Sequence, residues 1–67
     1  MNNDIIEGKW NQIKGDAQTK WGKLTNDDLD QIQGNRTKLA GKIQEVYGKS
    51  KDEVEKELKE WEKNLAA

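Results

Sequence analysis

The chain has no cysteine, no histidine and no proline. Without cysteine there is no disulfide framework and no thiol chemistry, a usage that fits a cytosolic protein. Without histidine, the commonest metal ligand and the commonest general base at neutral pH are missing. Catalysis would have to rest on carboxylates, lysines or Tyr47, so an enzyme is not the expected class, and no catalytic, metal or cofactor residues are assigned. The lack of proline is in keeping with helix throughout. No apolar run approaches the ~20 residues that span a bilayer, and no signal-peptide core is recognisable. A cytoplasmic protein with no membrane span is the expectation, and Asn35-Arg36-Thr37 matches a glycosylation sequon by chance. Large apolar side chains (Ile, Leu, Val, Trp, Tyr) number only 16 among 67 residues. The core must therefore be small, near the lower limit of independent stability, with no room for a sizeable pocket. One domain over residues 1–67 is expected.

What the chain does have is helical punctuation. Trp21-Gly22-Lys23-Leu24-Thr25-Asn26-Asp27-Asp28-Leu29 reads as a helix end, a tight turn and a new helix start. Gly22 suits the left-handed position just past a helix end. Thr25 is placed to be an N-cap, with Asp28 reaching back to complete a capping box and Asp27 adding negative charge to the first turn. A degenerate copy follows, in which Gly48 stops one helix and Ser50 with Glu53 opens the next. Asp4 with Glu7 supplies a weaker start. Asp27, Asp28 and Asp30 lack the mid-loop glycine and distal glutamate of an EF-hand, which favours capping over metal binding.

Apolar spacing predicts the helices between these marks. Over residues 4–21, Ile6, Trp10, Ile13, Ala17 and Trp21 share one helical face, so Trp10 and Trp21 read as core rather than as a ligand platform. Leu24 falls in the turn and is expected to plug the bundle end. Leu29, Ile32, Leu39, Ile43, Val46 and Tyr47 follow. Their stripe is compatible with one long helix, but Gly34-Asn35 favours a helix C-terminus and points to a short helix near 26–33, a break, and another near 36–47. Residues 51–65 carry Val54, Leu58, Trp61 and Leu65 on one stripe. Asp52–Lys56, Glu55–Lys59 and Lys56–Glu60 are spaced for i, i+4 pairs. Its net acidic polar face argues against a membrane-surface helix.

An internal repeat supports this division. At an offset of 26, Ile6, Gly8, Gly15, Gln18, Gly22 and Lys23 recur as Ile32, Gly34, Gly41, Gln44, Gly48 and Lys49. Ile13 becomes Leu39 and Trp21 becomes Tyr47. All six glycines belong to the repeat, on the side away from the apolar stripe. Gly8, Gly15 and Gly41 have three readings at this point: close approach of another helix, functional flexibility, or drift.

Charge is unevenly placed. Residues 1–24 sum to +1, 25–33 to −3, 34–51 to +4 and 52–67 to −3. The basic segment supplies Arg36, Lys38, Lys42, Lys49 and Lys51 as candidates for contacting nucleic-acid phosphates. A dedicated nucleic-acid domain usually shows a clearer basic excess, so a solvated face balanced by acidic neighbours is the stronger reading. A monomer is expected, with a weak homodimer through Trp61 and Leu65 as the alternative.

These motifs together resemble the CsbD-like family of small bacterial stress-response proteins. The matching stretches are Gly8-Lys9-Trp10-Asn11-Gln12-Ile13-Lys14-Gly15, then Trp21-Gly22-Lys23-Leu24-Thr25 with Asp27-Asp28-Leu29. Gly41-Lys42-Ile43-Gln44-Glu45 with Tyr47-Gly48 and the charged helix ending near Trp61 complete the set. The resemblance covers nearly the whole chain. It implies an all-α fold of two helical hairpins packed crosswise, similar to SAM-like domains, and cytoplasmic expression under general or osmotic stress. It implies no catalytic residue and no ligand. Where relatives often carry Arg beside the tyrosine, this chain has Val46, which removes a basic group. The expected function is a non-enzymatic stress protein, akin to hydrophilin-type protectants; the alternative is a small helical module that binds nucleic acid or a protein partner.

Overall fold

The computed structural model describes Ile6 and residues 8–66. Among the described residues it is all-α, with helices α1 (Trp10–Lys20), α2 (Asn26–Ile32), α3 (Arg36–Tyr47) and α4 (Lys51–Ala66) following one another. No strand occurs among the described residues.

Helix α1 begins later than the apolar spacing suggests. Lys9, at φ −114° and ψ 14°, stands in a turn just before it. Its carbonyl accepts from both Gln12 N (2.8 Å) and Ile13 N (2.9 Å), which restarts the helix almost in phase. The expected face survives the interruption: Ile6, Trp10, Ile13, Ala17 and Trp21 are all buried. Asp4 and Glu7, the expected N-terminal helix start, lie outside the described residues.

The end of α1 corrects the expectation for Gly22. Among the described residues, only Gln33, Gly34 and Gly48 have positive φ, so Gly22 does not use the left-handed region. Trp21 instead leaves the helix at φ −119° and ψ 76°. Trp21 N donates to Ala17 O at 2.8 Å and Leu24 N to Trp21 O at 3.0 Å. This path drives Trp21 and Leu24 inward until each is 1% exposed. The hydrophobic gain from two large side chains decides the turn, and glycine's conformational freedom is not needed there.

Helix α2 starts as its sequence dictates. Thr25 Oγ1 accepts from Asp28 N and Asp28 Oδ2 accepts from Thr25 N, both at 3.1 Å, a complete capping box. The break before α3 is also where it was expected, but its residues divide the work differently. Gln33 takes the left-handed C-cap at φ 49° and Gly34 continues it at φ 79°. Asn35 belongs to the next helix: its side chain accepts from Lys38 N at 3.0 Å, as an N-cap. Helix α3 ends at Gly48, left-handed at φ 66°. Helix α4 then opens with Ser50 Oγ accepting from Glu53 N at 3.2 Å.

The core lies where the four apolar faces meet. Leu29, Ile32, Leu39, Ile43, Val54, Leu58 and Trp61 join the residues of α1, with Val46, Tyr47 and Leu65 partly buried at its edge. Trp21 and Trp61 meet edge to face, with ring centroids 5.0 Å apart and planes at 75°, a geometry the aromatic quadrupole favours. Trp61 is thus core and not part of an exposed patch for a second copy. A Cβ added at Gly8, Gly15 or Gly41 would meet nothing within 4 Å. Close approach within this fold is therefore not their purpose. No helix among the described residues is long and apolar enough to cross a membrane.

Candidate functional site

Arg36 is the first residue of α3, and it turns to α4. Its guanidinium grips Glu55 with two nitrogens, Nη2–Oε1 at 2.9 Å and Nη1–Oε2 at 3.2 Å. Its Nε donates to Glu62 Oε2 at 2.9 Å. Glu55 and Glu62 stand two helical turns apart, so one arginine reaches both. The Glu62 side chain is only 2% exposed and that of Arg36 16%. Glu62 Oε1 has no hydrogen-bond partner among the described residues. The hydrogen bonds to Glu55 raise the Arg36 pKa against the opposing effect of burial. In return Arg36 holds the Glu55 carboxyl below its ordinary range.

Lys42, one turn and a half further along α3, lies between carboxylates of two helices. Its Nζ is 3.3 Å from Asp28 Oδ1 and 3.3 Å from Glu45 Oε1. Those bonds, Asp28 first, raise the lysine pKa. Asp28 is lowered chiefly by the Thr25 backbone N–H, burial opposing, with Lys42 adding to the shift. Beside this pair, α2 and α3 leave an open groove of about 250 Å³ lined by Asp28, Gln31, Ile32, Lys38, Lys42 and Glu45.

Lys49 sits at a third place, where the two copies of the repeat meet. Its Nζ bonds Glu57 Oε2 at 2.5 Å, while the Trp21 indole N–H donates to Glu57 Oε1 at 3.0 Å. One carboxylate of α4 thus ties both aromatic-Gly-Lys turns. Lys23 N donates to Tyr47 Oη at 3.1 Å. The Lys23 and Lys49 ammonium groups stand 5.3 and 5.5 Å from the Tyr47 ring centroid, within cation–π range. The Lys49 hydrogen bond lowers the Glu57 pKa, with the Trp21 indole assisting, and raises that of Lys49.

Of the five basic candidates, Arg36, Lys42 and Lys49 are therefore each held by carboxylates, in three different directions. Lys38 and Lys51 are exposed and form no ion pair among the described residues. Helix α4 spends its charge on other segments through Glu55, Glu57 and Glu62; the described ion pairs do not include the i, i+4 pairs its sequence suggests. Sequence reasoning missed Glu57 and Glu62, and assigned Glu55 to Lys59 of its own helix where the structure pairs it with Arg36. A signal for Glu62 was present: Val54, Leu58 and Glu62 follow one another at steps of four, which puts the glutamate beside the buried stripe.

The fold and its charges define a small all-α protein in which Lys14, Arg36, Lys42 and Lys49 pair with its own carboxylates. The CsbD-like family model matches residues 4–56, and the chain belongs to the CsbD-like family, a bacterial family associated with stress response. It is 53% identical to UPF0337 protein YjbJ of Escherichia coli strain K12, over 92% of this chain and 90% of that one. A UPF0337 protein of Pectobacterium atrosepticum is 55% identical over 92% of this chain and 90% of its own. One from Bordetella pertussis is 51% identical over 91% and 92% respectively. No solved structure matches the chain.

Proposed function

We propose that this protein acts without catalysis in the bacterial cytoplasm, as a folded, heavily hydrated and charge-balanced surface that separates clients as water is lost. The observation that carries the reading is the pairing of Arg36, Lys42 and Lys49 with Glu55, Glu62, Asp28, Glu45 and Glu57. A surface on which the basic segment's Arg36, Lys42 and Lys49 are paired internally, on a chain of net charge −1 and mean hydropathy −1.22, interacts weakly and without steering toward any one ligand. It supports a monomer, since Trp61 is turned into the core. The test is the residual activity of a client enzyme dried or heated with the purified protein. More protection than an equal mass of inert protein is expected; equal protection overturns the reading.

A second reading rests on Lys38 and Lys51, exposed and outside the ion pairs. A nucleic-acid module using them, with Lys42 in the α2–α3 groove beside Lys38, would neutralise two or three phosphates. Its affinity would then fall with a log–log salt slope of roughly −2 to −3 on duplex DNA. Amide shifts confined to Arg36, Lys38, Lys42, Lys49 and Lys51 on titration with short duplex DNA or single-stranded RNA at physiological salt would establish it. Absence of localised shifts would leave the protectant reading alone.

A further inference from the structure

Helix α4 is fastened differently from the other three. Its buried stripe of Val54, Leu58 and Trp61 is flanked on both sides by carboxylates that reach other segments. At 100° per residue, Glu55 and Glu62 fall on one flank and Glu57 on the other. The first flank closes on Arg36 of α3. The second closes on Lys49 and on the Trp21 indole. Helices α1–α3 are joined to one another by the apolar core, by Trp10 Nε1–H donating to Leu29 O at 3.2 Å, by Lys23 N donating to Tyr47 Oη, and by the Lys14–Asp30 and Lys42–Asp28 pairs.

We propose that α4 is an acid-released strap: loss of charge on Glu55 and Glu57, one on each flank, frees it from α3 and the Trp21 turn, while α1–α3 stay together around Trp10, Leu29 and Leu39. The groups that face these carboxylates are all cationic or hydrogen-bond donors. Glu55 faces Arg36 from α3, with Lys51 and Lys59 along its own helix. Glu57 faces Lys49, the Trp21 indole and Lys20 of α1. Glu62 faces Arg36. Lys49 in turn feels Glu53 beside Glu57. Protonation of Glu57 leaves Lys49 without its paired carboxylate, and protonation of Glu55 leaves the largely buried Arg36 with Glu62 alone. Release uncovers the edge-to-face Trp21–Trp61 contact and the apolar face of α4.

The molecule carries its own control. The Trp21 indole N–H reports α4 through Glu57, and the Trp10 indole N–H reports the α1–α2 contact through Leu29. Following both in proton–nitrogen NMR spectra from pH 7 to pH 2, the Trp21 resonance is expected to reach its unbonded position at a higher pH than that of Trp10. The double variant Glu55→Gln/Glu57→Gln is expected to show, already at pH 7, Trp21 at that acid position and Trp10 unmoved. A single shared midpoint for the two indoles overturns the strap, because α4 and α1–α3 would then be one cooperative unit. So does a double variant that keeps the native Trp21 resonance at pH 7, or one in which both indoles collapse together.

Discussion

Trp21-Gly22-Lys23 and Tyr47-Gly48-Lys49 are near copies in sequence, and they turn the chain in different ways. At the first, the aromatic ring is 1% exposed and the glycine stays out of the left-handed region. At the second, the ring is half-buried and Gly48 adopts φ 66°. The difference follows from what each turn must bury. The first has an extra apolar residue, Leu24, to deliver to the core, so the chain makes a further turn, closed by Leu24 N donating to Trp21 O, before Thr25 caps α2. The second has none and closes at once in a left-handed cap. A glycine in a repeated motif therefore marks a turn without specifying its backbone.

The comparison is broken most severely by removing the first aromatic. Trp21→Ala is expected to cost about 3–5 kcal/mol, a large part of the stability of so small a core. Tyr47→Phe removes only the acceptor for Lys23 N–H and is expected to cost about 0.5–1.5 kcal/mol. Urea unfolding, read as midpoints at unchanged slope, measures both.

The glycines sharpen it next. Gly48→Ala forces a side chain into the left-handed region and is expected to destabilise by about 1–2 kcal/mol. Gly22→Ala is expected to be near neutral or mildly stabilising, since the new Cβ would meet only Gln18 O at 3.9 Å. Gly15→Ala and Gly41→Ala, both mid-helix with open space around the added carbon, are each expected to stabilise by about 0.8–1 kcal/mol. Equal losses for Gly22→Ala and Gly48→Ala, from thermal unfolding of the two variants, would contradict the account of the turns.

The caps give a smaller contrast. Thr25→Ala breaks a two-way capping box and is expected to cost about 1 kcal/mol. Ser50→Ala, which loses only the bond from Glu53 N, is expected to cost less in the same assay.

Acid supplies the last contrast. Asp28, Glu55 and Glu57 all have folded-state pKa values below their ordinary ones. Their contributions are complete above the unfolded carboxylate values, near 4, and are lost as pH falls through the still lower folded values. Stability measured against pH is therefore expected to be flat from about 7 to 5 and to fall below that. Glu57→Gln is expected to start lower at pH 7 and to fall less steeply.

Much of the fold was legible in the residues. The step-of-three-and-four spacing identified the buried face of each helix, Thr25 with Asp28 marked a helix start, and Gly34-Asn35 marked the break. Those signals are local: they act within one or two helical turns, where chain connectivity keeps the partners together. The interruption at Lys9 and the roles of Gln33 and Asn35 escaped, because several backbone paths satisfy the same apolar pattern. The candidate site was legible only as a list of cations. Which cations are neutralised depended on Arg36 meeting Glu62, 26 residues away, and on Trp21 sharing Glu57 with Lys49 across 36 residues.

By itself, then, the sequence determined four amphipathic helices, their principal caps, the family and an even balance of charge. Only the tertiary structure decided which charges face solvent. Pairing across helices depends on how the apolar faces dock, and docking is a property of the whole core that no single segment contains.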